Sequence, residues 1–313
     1  MRRSRIALAG EVVWGVTRFD SIGRRPQRSS VRGEVAEFSA ASRRRLFCYM
    51  SAIPWGAFGR SLFVTLTYPA EFPTDGRVVA KHLQRFDREL VRRFGVKNDD
   101  GSLAWAPPAV WVREFHTQRP AAHYHMVVQL PSGVSERRFR AWAKEAWSGI
   151  VARGCVVEGV EWPGVLDEEN RLRHRDQGVR TELLRGHPAA YFVGYVGDRG
   201  RTKVEQHRVP EGFTRPGRYW GMRRCRPEWL VIDLGHNEWR AIVAEMRARR
   251  EAAGLGNPPN GQRQSQWLRL PGESAVLTVL GLVRYWAGEG PAPPPLGRAG
   301  APARLLATAG SSS

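Results

Sequence analysis

Two histidines, His123 and His125, stand two residues apart in the run Ala121-Ala122-His123-Tyr124-His125-Met126-Val127-Val128. From His123 onward the residues are aromatic, β-branched or apolar. They are bounded by Arg119-Pro120 upstream and Pro131-Ser132-Gly133 downstream, which predicts a β-strand. Strand side chains alternate faces, so both imidazoles project from one face, about 7 Å apart along the strand. Two neutral imidazoles at that spacing can grip one metal ion. Tyr124 and Met126 then point to the other face, toward a core. The same pattern also arises on a wet or half-buried strand face that binds nothing, so the pair alone leaves both readings open.

A carboxylate sharpens the first reading. Ala109-Val110-Trp111-Val112-Arg113-Glu114-Phe115 also has strand composition, and the short polar link His116-Thr117-Gln118-Arg119-Pro120 joins it to the histidine strand. The two strands are expected to form a hairpin that brings Glu114 to the histidines. Two imidazoles and one carboxylate, with positions left for water and a phosphate oxygen, suit Mg²⁺ or Mn²⁺, the imidazoles favouring Mn²⁺. The alternative is an exposed charge at a strand end. His116 is a weaker candidate, since it falls in the turn.

Downstream lies Tyr191-Phe192-Val193-Gly194-Tyr195, just after His187-Pro188. Proline is tolerated in a first helical turn, so a helix is expected to start there. The i, i+4 spacing puts the two phenols on one helix face. A deprotonated tyrosine is a covalent nucleophile toward a target activated by a metal. Both rings serve equally well as core anchors, so the spacing leaves that alternative open too.

Charge points to the partner. Lysine plus arginine number 49 against 30 acidic residues, a formal net charge of +19. Only Lys81, Lys97, Lys144 and Lys203 are lysines; the rest of the positive charge is arginine. An excess of this size implies a polyanionic partner, and the guanidinium fork suits phosphate.

The elements that would position these residues follow from periodicity. Residues 36–51 set Phe38, Leu46, Phe47 and Met50 against Arg43, Arg44 and Arg45, a basic helix. Residues 78–94 form the clearest amphipathic helix, with Val79, Leu83, Phe86, Leu90, Val91 and Phe94 on one side. A further helix over 135–148 starts at Ser135 and carries Phe139, Trp142, Ala143, Ala146 and Trp147. Strand, helix, hairpin, helix is the order of an α+β ferredoxin-like or RRM-like antiparallel sheet with helices on one face. The other face is then free for a metal. Residues 154–180 read as a short strand at Val156, Val157 and Val160, then a charged connection. The aromatics and Arg218 between Gly212 and Gly221 suit base stacking or backbone contact, or equally the edge of a core. Leu230–Leu234 reads as a strand and Trp239–Arg250 as a helix.

Three segments result: a basic N-terminal stretch over 1–35, one catalytic domain over 36–253, and a Pro/Gly-rich tail over 254–313 with a short apolar helix near 274–286, otherwise expected to be disordered. Glu11 interrupts Ile6-Ala7-Leu8-Ala9, so no signal peptide is expected. The apolar patch over 275–283 is too short to span a bilayer. Cys48, Cys155 and Cys225 are isolated and odd in number. They argue against a zinc module or disulfide framework and for a reducing cytoplasm.

Together these residues resemble the HUH endonucleases, and within them the rolling-circle replication initiators of small single-stranded DNA phages and related plasmids. Leu62-Phe63-Val64-Thr65-Leu66-Thr67-Tyr68-Pro69 is similar to their first motif. Glu114 with Arg119-Pro120 and His123-Tyr124-His125 is similar to the second, and Tyr191 to Tyr195 to the third. The resemblance spans about residues 40 to 222. Where the family often has lysines within and after the third motif, this chain has Gly194 and Asp198; Arg199, Arg201 and Lys203 are the nearby positive charges.

The resemblance implies an enzyme that nicks single-stranded origin DNA by metal-assisted transesterification in a bacterial cytoplasm. His123, His125 and Glu114 would hold Mg²⁺ or Mn²⁺, and Tyr195 would attack first with Tyr191 as its partner. Arg199, Arg201, Lys203 and Arg218 would contact the DNA, and host helicase and polymerase would be further partners. Two alternatives stay open: a single-tyrosine HUH transposase, and a non-catalytic nucleic-acid-binding protein with an RRM-like sheet.

Overall fold

The computed structural model describes residues 3–9, 12–18, 35–55, 60–165, 167–185, 188–189, 191–192, 205–228, 230–235 and 237–244. The chain divides into two units, Met1–Arg24 with Trp229–Ser313, and Arg25–Glu228. In the first, β1 (Arg3–Ala9) pairs antiparallel with β2 (Val12–Arg18) and with β12 (Leu230–Leu234), in the order β12-β1-β2. Residues 237–244 are helical, with Ile242 fully buried. The strand expected at 230–234 is present, whereas the β1–β2 hairpin went unread within a stretch taken only as basic. The segment 254–313, including the apolar patch, lies outside the described residues.

The second unit opens with α1 (Ala40–Ser51), capped by Ser39, whose hydroxyl accepts from the Ser42 N–H. Then come β3 (Arg60–Thr67), α2 (Gly76–Phe94), a small β4–β5 hairpin (Val96–Lys97, Leu103–Trp105), β6 (Ala109–Phe115), β7 (Ala122–Leu130) and α3 (Glu136–Ala152). A second small hairpin, β8 (Cys155–Val157) with β9 (Val160–Trp162), leads to α4 (Glu168–Gln177), β10 (Val179–Leu183) and β11 (Trp220–Arg223). Helices α2 and α3 start where side chains satisfy orphan N–H groups: Asp75 accepts from Arg77, and Ser135 from Arg138.

Five strands form one antiparallel sheet in the order β10-β3-β7-β6-β11. Its first four strands are joined through α2 and α3 in the ferredoxin-like arrangement, so the α+β fold class expected from the sequence is the one found. Helices α2 and α3 cover one face. The Tyr124 hydroxyl donates to the Val79 carbonyl of α2 at 3.3 Å. Trp147 of α3 is fully buried and donates its indole N–H to the Thr67 carbonyl at 2.8 Å, which also lies 2.7 Å from Nε2 of His174. Truncating a ring buried like Trp147 costs about 3–5 kcal/mol.

Every residue of β6 and β7 is buried, so both sheet faces are covered there. Against the second face lie α1 and residues 188–192: Trp220, paired with Val112, donates its indole N–H to the Ser42 hydroxyl at 3.0 Å, and Phe192 meets Phe63. The charged connection expected before residue 180 is instead α4 followed by an edge strand. Only His174 of α4 is buried, so that helix has no apolar stripe to read.

Candidate metal centre

The β6–β7 hairpin sets Glu114 directly across from His123 and Val112 across from His125, so all four side chains share the face opposite α2 and α3. The connecting turn is anchored. Arg119 donates to the carbonyls of Tyr68 at 2.7 Å and Pro69 at 2.6 Å, tying it to the end of β3.

The three side chains converge. Oε2 of Glu114 lies 3.3 Å from Nε2 of His125 and 3.6 Å from Nε2 of His123, and the two imidazoles meet edge to face with centroids 4.7 Å apart. One ligand atom from each residue falls within 4.8 Å of the others. Glu114 is 1 % exposed, His125 2 % and His123 8 %. Burial pushes the Glu114 carboxyl up, but hydrogen bonds from His123, His125 and His207 outweigh it and hold the acid well below the ordinary carboxylate range. Nδ1 of His125 lies 3.1 Å from the Thr65 hydroxyl, which leaves Nε2 for the centre. Remote partners of this kind orient metal-binding imidazoles. A buried carboxylate oxygen facing two imidazole nitrogens is a donor set that fits a metal ion, and these residues can hold one.

The wall of the site is aromatic. Phe63 stacks on His125 at 5.4 Å, and Tyr191 packs on the far side of Phe63 at 4.9 Å. The Tyr191 hydroxyl donates to Oε2 of Glu182 on β10 at 2.8 Å. Residues 188–189 and 191–192 are helical, as the proline-led start implied. Tyr195, Arg199, Arg201 and Lys203 lie outside the described residues. Arg218 is exposed on the segment entering β11 and forms no hydrogen bond or ion pair with the triad among the described residues. His116 stands beside His123 with ring centroids 6.3 Å apart and is not part of the converging set. Tyr68, the end of the first motif, is wholly buried against His82, and that burial raises its phenol pKa well above normal.

One residue went unread. His207, in the sequence Glu205-Gln206-His207-Arg208, reaches in from outside the sheet to place Nε2 3.4 Å from Oε1 of Glu114. It has no periodicity or partner spacing to mark it, and 93 positions separate it from the carboxylate it meets.

Residues 61–198 match a family model of replication-associated proteins, described by the name ORF2. No curated protein matches, and neither does any solved structure. The matched interval opens in β3 and takes in Glu114, His123, His125, Tyr191 and Tyr195. Arg43 and His207 fall outside it. Over that interval the chain is similar to replication-associated proteins, in keeping with a part in DNA replication. Among the described residues no helix is long and apolar enough to cross a membrane.

Proposed function

We propose that this chain is a replication initiation endonuclease of the HUH type. It nicks single-stranded origin DNA, remains joined to the 5′ end through a tyrosine, and later rejoins ends. The observation that carries this reading is the buried convergence of Glu114, His123 and His125 within a stretch similar to replication-associated proteins.

Glu114, His123 and His125 hold the ion, Mn²⁺ or Mg²⁺, and Thr65 fixes the orientation of His125. The bound ion supplies Lewis acidity to the oxygens of the scissile phosphate. The phenolate of Tyr195 attacks phosphorus in line, the bond to the 3′ oxygen breaks, and that oxygen leaves with a proton as a free 3′-OH primer. The phosphodiester becomes a 5′-phosphotyrosine ester, so no ATP is needed for rejoining. Tyr191 serves the second transfer, and Glu182 is placed to take its proton. Arg199, Arg201, Lys203 and Arg218 contact the DNA backbone, with arginine dominating a net charge of +19. Host helicase and polymerase would extend the primer, in the cytoplasm of a cell carrying the plasmid or phage.

The deciding experiment incubates the protein with labelled single-stranded DNA of its replicon and Mn²⁺, then maps the adduct by peptide sequencing. Attachment at Tyr195 or Tyr191 is expected. A crosslink outside residues 187 to 198, or no adduct, overturns the reading.

A further inference from the structure

We propose that His207 is a positioning residue for the metal centre: held by Arg43, it donates its Nε2 proton to Oε1 of Glu114 and so commits Oε2 to the ion. This rests on the metal reading above.

The two oxygens of Glu114 have different company. Oε2 is the one near both imidazoles of the hairpin, while Oε1 lies 3.4 Å from Nε2 of His207. The opposite nitrogen of His207, Nδ1, lies 3.3 Å from Nη1 of Arg43. A guanidinium N–H only donates, so Nδ1 accepts. The ring proton therefore sits on Nε2, an assignment made from hydrogen-bond geometry, and Nε2 donates to the carboxylate.

The chain of contacts is fixed at its far end. The same Nη1 of Arg43 donates to the Phe38 carbonyl at 2.6 Å, and the Phe38 N–H donates to the His207 carbonyl at 2.8 Å. The Phe38 ring stands edge-on to the imidazole at 5.4 Å. His207 is 2 % exposed. A carboxylate with both oxygens unrestrained can rotate and present either one. A donor on Oε1 removes that freedom and answers part of the desolvation of a buried anion. If His207 were instead only a ring packed beside Phe38, phenylalanine would replace it without consequence for the metal.

The test measures Mn²⁺ affinity of the full chain by electron paramagnetic resonance of the free ion, with His123→Ala as the reference for a lost site. His207→Phe should weaken Mn²⁺ binding by about 10- to 100-fold, with the metal-free melting temperature near that of wild type. His207→Gln keeps an N–H donor and should restore most of the affinity. Arg43→Met should weaken binding in the same sense as His207→Phe. Wild-type affinity in His207→Phe overturns the proposal and leaves the metal reading standing. Wild type binding no better than His123→Ala overturns that reading and the proposal with it. The ring proton is read independently, by ¹⁵N NMR of His207 in the metal-free wild type, which remains decisive where His207→Phe does not fold. A proton on Nε2 is expected; a proton on Nδ1 overturns the proposal.

Discussion

The Tyr191 hydroxyl donates to a carboxylate oxygen of Glu182 at 2.8 Å, and Glu182 sits across from Phe63, the ring that stacks on His125. The partner tyrosine of the proposed reaction is thus held by a group able to take its proton.

The first prediction concerns this pair. Glu182→Gln keeps the size of the side chain and loses the base. First cleavage by Tyr195 should proceed near the wild-type rate, while the second transfer slows by about 10²-fold. Timed gels that separate nicked from rejoined product measure both steps. An unaltered second transfer would exclude Glu182 as the acceptor.

The second concerns the metal ligands. His123→Ala and His125→Ala should abolish cleavage and leave DNA binding nearly intact, since binding rests on arginine rather than on the centre. Mn²⁺ should raise the melting temperature of wild type but not of His123→Ala. Full cleavage by the double alanine variant would remove the triad from the mechanism.

The triad was legible because it is local. The alternation of one strand and the polar link to its neighbour set the faces of His123, His125 and Glu114 before any long-range contact is considered. The amphipathic stripe of α2 and the Ser135 start of α3 were legible for the same reason. The edge strands were not. In β10, buried Val179 and Thr181 alternate with exposed Arg180 and Glu182 over too short a run, next to a helix with no apolar face. His207 was hidden more deeply, because its position is set by Phe38 and Arg43, side chains far away in sequence.

The third prediction is electrostatic. Affinity for single-stranded DNA should fall steeply between about 50 and 200 mM salt as counterions are released. A plot of log affinity against log salt measures the number of phosphates engaged. A flat plot would mean that the arginine excess faces something other than nucleic acid.

The fourth concerns pH. His82 is fully buried between the Tyr68 hydroxyl, 3.0 Å from Nδ1, and the Cys155 thiol, 3.6 Å from Nε2. Burial, aided by Arg85, lowers its pKa from 6.5 to about 4. The unfolded chain takes up that proton first as pH falls. The stability contribution is therefore complete above pH 6.5 and declines as pH drops toward 4, by on the order of 2 to 3 kcal/mol at pH 4.5. Urea unfolding at pH 7.5 and 4.5 should show a smaller loss for His82→Gln than for wild type. Equal losses would assign the acid sensitivity elsewhere.

The β6–β7 hairpin has one more consequence, for the order of assembly. All three candidate ligands lie within a single two-stranded unit closed by a short turn, so bringing them together costs little chain entropy. Capacity for the ion can arise as soon as these neighbouring strands zip and find their sheet, on the timescale of local structure. His207 must cross a far longer loop to reach the same carboxylate. A nascent chain would therefore acquire a loose centre first and a tightened one only after its later segments have folded back.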